Sequence, residues 1–185
     1  DTAYRFAKGL PVTHPYHRAK IRIGTPLDFL VVADHAEYMG VIPMVFSGDP
    51  RVAELEIAKR WKAWSDAGEP QKAFAEGLGH VNNNQPDTEL NSEAIRTTVW
   101  SEIIDAAEQH NEPGAFTTFI GWEWTSNTGG NNLHRVVVYR GDGREAQVME
   151  PYTTLKPEGS DDPRDLWKWM QTYEDRTGGQ ILAIA

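Results

Sequence analysis

Phe29-Leu30-Val31-Val32-Ala33-Asp34-His35 is the stretch on which the reading of the fold turns. Five consecutive apolar residues have the length of a strand, and their lack of alternation fits a strand covered on both faces, as in a parallel sheet flanked by helices. The run ends in Asp34-His35. A carboxylate and an imidazole are therefore expected at the carboxyl end of a strand, where the loops of an α/β fold converge on a site.

Downstream, helical patterns alternate with further apolar runs. A helix is expected after Asp49-Pro50, where Asp suits the cap and Pro the first helical position. Ile57, Trp61 and Trp64 recur at i, i+4 and i+7 and define its buried face. Gly68 and Pro70 end it, and Gly79 to Asn91, with three consecutive Asn and Pro86, reads as an irregular surface loop. A second helix is expected from about Ser92 to Gln109, with Ile95, Val99, Ile103 and Ala106 inward. Phe116 to Ile120 and Arg135 to Tyr139 read as strands. Asp162-Pro163 opens a third helix carrying Leu166, Met170 and Tyr173 inward, and Gly178-Gly179 stops it before a last strand from Ile181. Strand, helix, helix, strand, strand, helix, strand is an α/β pattern with a mainly parallel sheet, open or closed into a barrel. The chain stops inside that last apolar run and starts without Met, so it reads as a fragment of a larger domain.

Composition narrows the chemistry. With no Cys, any metal must be held by His and carboxylate groups. A net charge of −9, from 18 Lys+Arg against 27 Asp+Glu, argues against a nucleic-acid surface, because no positive field gathers phosphate backbones. No apolar run approaches the roughly 20 residues that span a bilayer. There is no phosphate-cradling glycine loop, Gly-x-Ser-x-Gly elbow or HExxH helix.

Three candidate ligands remain, each at a strand boundary: His35, Glu123 in Gly121-Trp122-Glu123-Trp124, and His134 before Arg135. Singly each has an ordinary explanation: a His beside a turn-capping Asp, a Glu in a surface turn, a polar residue opening a strand. Together they make the minimum set for an open catalytic metal site. Asp34 could orient His35 from behind, and Arg135 could grip an anionic substrate group, although a structural ion pair is its default role. His14 and His17, near Arg18, Lys20 and Arg22, read as a solvated loop before an anion-binding one. His80, in the expected loop, and His110 are placed outside the site.

The run Pro26 to Glu37 resembles the second motif of the polymerase-and-histidinol-phosphatase superfamily. Gly121-Trp122-Glu123-Trp124-Thr125, Asn132-Leu133-His134-Arg135 and Gly178 to Ala185 are similar to a large bacterial family within it that long carried only a label of unknown function. The resemblance implies a distorted seven-stranded β/α barrel that holds two or three metal ions and hydrolyses phosphate esters. It implies that His35, Glu123 and His134 are ligands, Glu123 being similar to a carboxylate that bridges metals. The superfamily's opening His-x-His pair would precede Asp1, and its later ligand motifs would follow Ala185. Residues 1–185 would then be the middle of one such domain.

The leading expectation is thus a metal-dependent hydrolase of phosphate or sulfate esters using a metal-activated water, with Asp34, His35 and Glu123 at the chemistry. Zn²⁺, Mn²⁺ or Fe suits the ligands, and the partner is a small anionic ester. The alternatives are a carbohydrate-binding module that stacks sugars on Trp122 and Trp124, and a barrel whose metal serves stability alone.

Overall fold

The computed structural model describes all of residues 1–185. In chain order the elements are α1 (Thr2–Ala7), β1 (Val12–Thr13), β2 (Lys20–Ile21), β3 (Phe29–Val31), β4 (Asp34–His35), α2 (Val41–Ser47), α3 (Glu56–Asp66) and α4 (Pro70–Asn82). There follow α5 (Glu93–His110), β5 (Thr117–Phe119), β6 (Gly121–Ser126), β7 (Leu133–Tyr139), α6 (Gly143–Ala146), α7 (Pro163–Thr177) and β8 (Ile181–Ile184). The chain is mixed α/β, and none of its sheets closes into a barrel.

The stretch at 29–35 is one strand path interrupted at Val32-Ala33. Its halves pair in parallel with the halves of a second path interrupted at Ile120: Phe29 faces Thr117 and Val31 faces Phe119 before the break, and Asp34 faces Trp122 and His35 faces Glu123 after it. The partner offset is the same on both sides, so the interruption does not shift the register. From β4 the sheet continues through β6 and β7 to β8. A mainly parallel sheet was expected, yet β7 runs antiparallel to both its neighbours. The cause is the short 127–132 connection, which turns the chain back and leaves no room for the crossover that parallel pairing needs. Because β6 and β8 both oppose β7, they run in the same direction as each other. Only β7 is reversed.

Period-two alternation divides the two faces of this sheet. Trp122, Trp124, Val137 and Tyr139 lie on one face and are completely buried against the helices. Trp122 meets Trp169 edge to face at 5.5 Å, and Tyr139 meets Tyr173 of α7 the same way at 5.0 Å. The indole N–H groups of Trp122 and Trp124 donate to the Tyr139 hydroxyl and the Ser160 carbonyl. The opposite face is open. It carries Phe29 and Phe119 at one end, Val31 beside Gly121 in the middle, and His35, Glu123, Thr125 and His134 at the carboxyl end of the parallel ladder. Phe29 is 61% exposed, so the expectation of a strand covered on both faces fails here: helices cover one face only.

Local signals hold where capping chemistry is strong. The Asp162 carboxylate accepts from the backbone N–H of Arg164, Pro163 opens α7, and Gly178 closes it at φ 70°. Leu166 and Tyr173 are buried as expected, and Met170 packs against the core. Asp49 behaves differently. Its carboxylate caps a turn through the Arg51 N–H, and α3 starts only at Glu56. Ile57 and Trp61 nonetheless form the buried face of α3, with Trp64 packed against it. The loop expected at Gly79 to Asn91 is helical as far as Asn82. Pro70 opens α4 instead of merely ending α3, and Gly77 is buried against the Trp61 ring. In α5 the inward stripe turns slightly, so that Trp100, Ile104 and Ala107 are buried and Ile103 and Ala106 lie at its margin. No helix is long and apolar enough to cross a membrane.

Candidate metal centre

Side chains of paired residues in neighbouring strands leave the sheet on the same face. His35 pairs with Glu123 across β4 and β6, and Thr125 pairs with His134 across β6 and β7. Glu123 and Thr125 stand two residues apart, hence on one face. The sheet register alone therefore gathers two imidazoles, a carboxylate and a hydroxyl. His134 lies within β7, and Glu123 lies in the middle of β6 instead of in a turn.

One ligand atom from each of His35, Glu123 and His134 falls within 4.8 Å of the others. Glu123 spans the gap, its Oε2 being 3.5 Å from His35 Nε2 and its Oε1 2.8 Å from His134 Nδ1. Ligand atoms around a tetrahedral ion with bonds of about 2.0–2.1 Å stand about 3.3 Å apart. The two Glu123–histidine distances bracket that value through different carboxylate oxygens, and the donor set of two imidazoles and one carboxylate suits a divalent transition metal. The imidazole side chains are each about half exposed, at 53% and 47%, whereas Glu123 is mostly shielded, so the set opens to solvent from the histidine side. The Thr125 hydroxyl lies 2.9 Å from Nδ1 of His35 and 3.0 Å from Nδ1 of His134.

Glu37 is a member of this group that sequence reading passed over, although it sits in the quoted motif. After His35 the chain turns sharply through Tyr38 at φ 56° and Gly40 at φ 69°. Tyr38 keeps this left-handed backbone because its ring is buried and its hydroxyl accepts from the Asp87 N–H and meets His80 Nδ1 at 3.0 Å. The turn folds the Glu37 carboxylate under the site, with only 4% of its side chain exposed. Its Oε1 accepts from the Thr153 hydroxyl, the Thr154 hydroxyl and the Thr154 N–H. Its Oε2 has no hydrogen-bond partner and stands 3.7 Å from His35 Nδ1, an ion-pair contact longer than a hydrogen bond. A buried polar atom left unpaired costs about 1–3 kcal/mol, and more when charged. The Glu37 carboxylate, with Glu123 and Asp34 behind it, raises the His35 pKa above its ordinary value against the opposing effect of partial burial.

The other expected site residues are elsewhere. Alternation turns Asp34 and Arg135 to the face opposite His35 and His134. Asp34 is exposed and its side chain accepts no hydrogen bond within the protein, though its charge is felt by Tyr4 and His35. Arg135 pairs in register with buried Trp124 and donates through Nη1 to the His134 carbonyl. Each expectation placed a neighbour in sequence at a site that a strand shares only between alternate residues. The two indoles expected as a sugar platform, Trp122 and Trp124, are completely buried and offer none. His14 accepts from the N–H groups of Tyr16 and His17 in an exposed turn. His80 belongs to α4 and stacks on Trp61, and His110 stacks on Tyr4. A polar hollow of about 170 Å³ opens where β6 ends, lined by Asn84, Asn127, Thr128, Thr154 and Asp161 among others.

The whole chain, residues 1–185, matches the model of a family described as "Protein of unknown function (DUF3604)". No curated protein and no solved structure matches it.

Proposed function

The chain belongs to the DUF3604 family, and from the geometry of its site we propose that it is part of a metal-dependent hydrolase acting on phosphate or sulfate esters. The observation that carries the reading is the convergence of His35, Glu123 and His134 within 4.8 Å on one open sheet face, at the carboxyl end of parallel strands. These three residues would hold a divalent transition metal, Zn²⁺, Mn²⁺ or Fe, with two or three ions in a complete domain. Such an ion, when bound, supplies Lewis acidity that brings water near neutral pKa and offsets charge on an ester oxygen.

The chain's own groups have separate tasks. Glu123 reaches both histidines and fixes their spacing. Thr125 restrains both rings from a single hydroxyl. The half-exposed imidazoles leave an approach for a small ester from solvent. Arg135 has no part in gripping it, since it leaves the sheet on the other face, and Asp34 acts on His35 only through its charge, as a minor contribution beside Glu37 and Glu123. The hollow beside β6 is lined by amides, hydroxyls and the Asp161 carboxylate and contains no cationic side chain. It suits the uncharged, hydroxyl-bearing part of a substrate better than its anion.

We read the architecture as part of a β/α barrel of the polymerase-and-histidinol-phosphatase kind. Reversing β7 alone would make the sheet all parallel, and the open face carries Phe29, Leu182 and Ile184, apolar side chains of the sort that fill a barrel interior. The carbohydrate-module alternative loses its platform with the burial of Trp122 and Trp124.

The test is metal analysis of the protein after loading with Zn²⁺ or Mn²⁺, followed by turnover of nitrophenyl phosphate mono- and diesters and sulfates with and without chelator. Bound metal that is lost in His35→Ala, together with chelator-sensitive turnover, supports the reading. Metal without turnover of any ester leaves a structural site and sinks the hydrolase; no metal at all sinks both.

A further inference from the structure

The buried carboxylate of Glu37 presents one satisfied oxygen and one bare oxygen, and the bare one faces His35. We propose that Glu37 is a positioning residue: together with Thr125 it fixes Nδ1 of His35 as the nitrogen that carries the proton, leaving Nε2 as the ligand atom toward Glu123. The proposal rests on the reading of His35, Glu123 and His134 as a metal centre and assigns a role to a fourth side chain outside that set.

The two nitrogens of His35 face different surroundings. Nε2 points to Glu123 Oε2 at 3.5 Å, on the side where the three candidate ligands converge. Nδ1 points away from it, to Thr125 Oγ1 at 2.9 Å and Glu37 Oε2 at 3.7 Å. Thr125 alone cannot decide which nitrogen is protonated. Its single hydroxyl stands against two Nδ1 atoms and can donate to only one of them. A carboxylate has no such ambiguity, because it only accepts. Glu123 also attracts a proton toward Nε2, but its Oε1 is already engaged by His134 at 2.8 Å and the group is partly wetted. Glu37 is almost wholly dry, and its Oε2 has no other partner to compete with His35. With the proton held at Nδ1, Thr125 accepts from His35. A metal-binding histidine commonly donates the proton of its other nitrogen to an acceptor, which fixes both tautomer and ring orientation; here Thr125 stands at hydrogen-bond distance from Nδ1 and Glu37 adds its charge from 3.7 Å.

The deciding variant is Glu37→Gln. Its amide oxygen can keep the three bonds from Thr153 and Thr154 that anchor the loop, while its NH₂ replaces the bare oxygen. A donor then faces Nδ1, and the proton is driven to Nε2. The ¹⁵N shifts of His35 in the metal-free protein at alkaline pH, where the ring is neutral, read the tautomer directly. We expect the wild type to show a protonated Nδ1 and Glu37→Gln a protonated Nε2, with Zn²⁺ affinity in the variant lower by roughly 10–100-fold and circular dichroism unchanged. A wild type protonated at Nε2 overturns the proposal without any variant, so a Glu37→Gln that failed to fold would not shield it. A variant with the wild-type tautomer and wild-type Zn²⁺ affinity would reduce Glu37 to an anchor for the 153–155 loop. If the wild type binds no Zn²⁺, the metal centre fails, while the tautomer measurement still decides the case of Glu37.

Discussion

The hydroxyl of Thr125 lies 2.9 Å from Nδ1 of His35, reaching across from the neighbouring strand, and 3.0 Å from Nδ1 of His134 on its other side. One side chain thus contacts both imidazoles of the candidate centre, at the His35 nitrogen away from Glu123 and at the His134 nitrogen that faces it. Thr125→Val keeps the shape and removes the hydroxyl. Zn²⁺ affinity should fall by about 10-fold, the lower end of what orienting groups contribute. Stability should change by less than about 1 kcal/mol, because both rings stand half in water and can hydrate instead. Competition against a chromophoric chelator gives the affinity, and Thr125→Ser should restore it. Wild-type affinity in the valine variant would show that the hydroxyl contact is incidental.

His35 should titrate above the ordinary histidine value of about 6.5, because the Glu37 carboxylate, and then Glu123 and Asp34, favour its charged form over the opposing cost of burial. The sign follows from a folded-state pKa raised above the unfolded one. The charged ring stabilises the metal-free protein fully below the unfolded value, and that contribution is lost as pH rises through the folded value. Metal uptake runs the other way. A ligand nitrogen must be free of its proton, so Zn²⁺ affinity weakens as pH falls through the raised value. Following the His35 ring protons by NMR in the metal-free protein checks this, and Glu37→Gln should return the midpoint toward normal. A wild-type midpoint at or below the ordinary value would contradict it.

Gly121→Ala should destabilise the sheet by about 1–3 kcal/mol through overpacking. A Cβ there would stand 2.6 Å from Val31 Cγ2 and 2.7 Å from the Val137 carbonyl oxygen, and the carbonyl belongs to a paired strand that cannot step aside. Replacing glycine in a strand otherwise gains roughly 0.5–1 kcal/mol, too little to offset the clash. Urea unfolding measures the difference. A variant as stable as the wild type would mean that the strand break at Ile120 relaxes freely.

The seven tryptophans should divide sharply in acrylamide quenching. Trp167 is 56% exposed and should dominate the quenchable fluorescence, so Trp167→Phe should remove most of it. Trp122→Phe and Trp124→Phe should leave quenching nearly unchanged. Trp124→Phe should cost about 1–3 kcal/mol, since the Ser160 carbonyl loses its indole partner. Oligosaccharides should not shift the emission. A sugar-dependent shift lost in Trp122→Phe or Trp124→Phe would reopen the carbohydrate-binding reading.

Much of the site was legible in the chain because its signals are local. Strand-length apolar runs lead into His35 and Glu123 and follow His134, and the absence of Cys left His and carboxylate as the available ligands. Cap chemistry at Asp162-Pro163 and Gly178 set the limits of α7 within a residue. Weaker local signals misled. Asp49 resembles a helix cap but serves a turn, and an Asn-rich segment hid the end of α4, which is held by packing against α3 through Trp61 and Glu76.

The sequence by itself determined that this is an α/β chain with two imidazoles and a carboxylate near strand ends, because periodicity and residue type are properties of a few neighbouring residues. Only the tertiary structure decided which of the adjacent candidates share a face. The register of β4, β6 and β7 puts His35, Glu123, Thr125 and His134 together and turns Asp34 and Arg135 away, and register depends on partners about ninety residues apart along the chain in the β4–β6 pairing. Glu37 was beyond reach for the same reason: its bare oxygen matters only because Thr153 and Thr154, distant in sequence, occupy the other one.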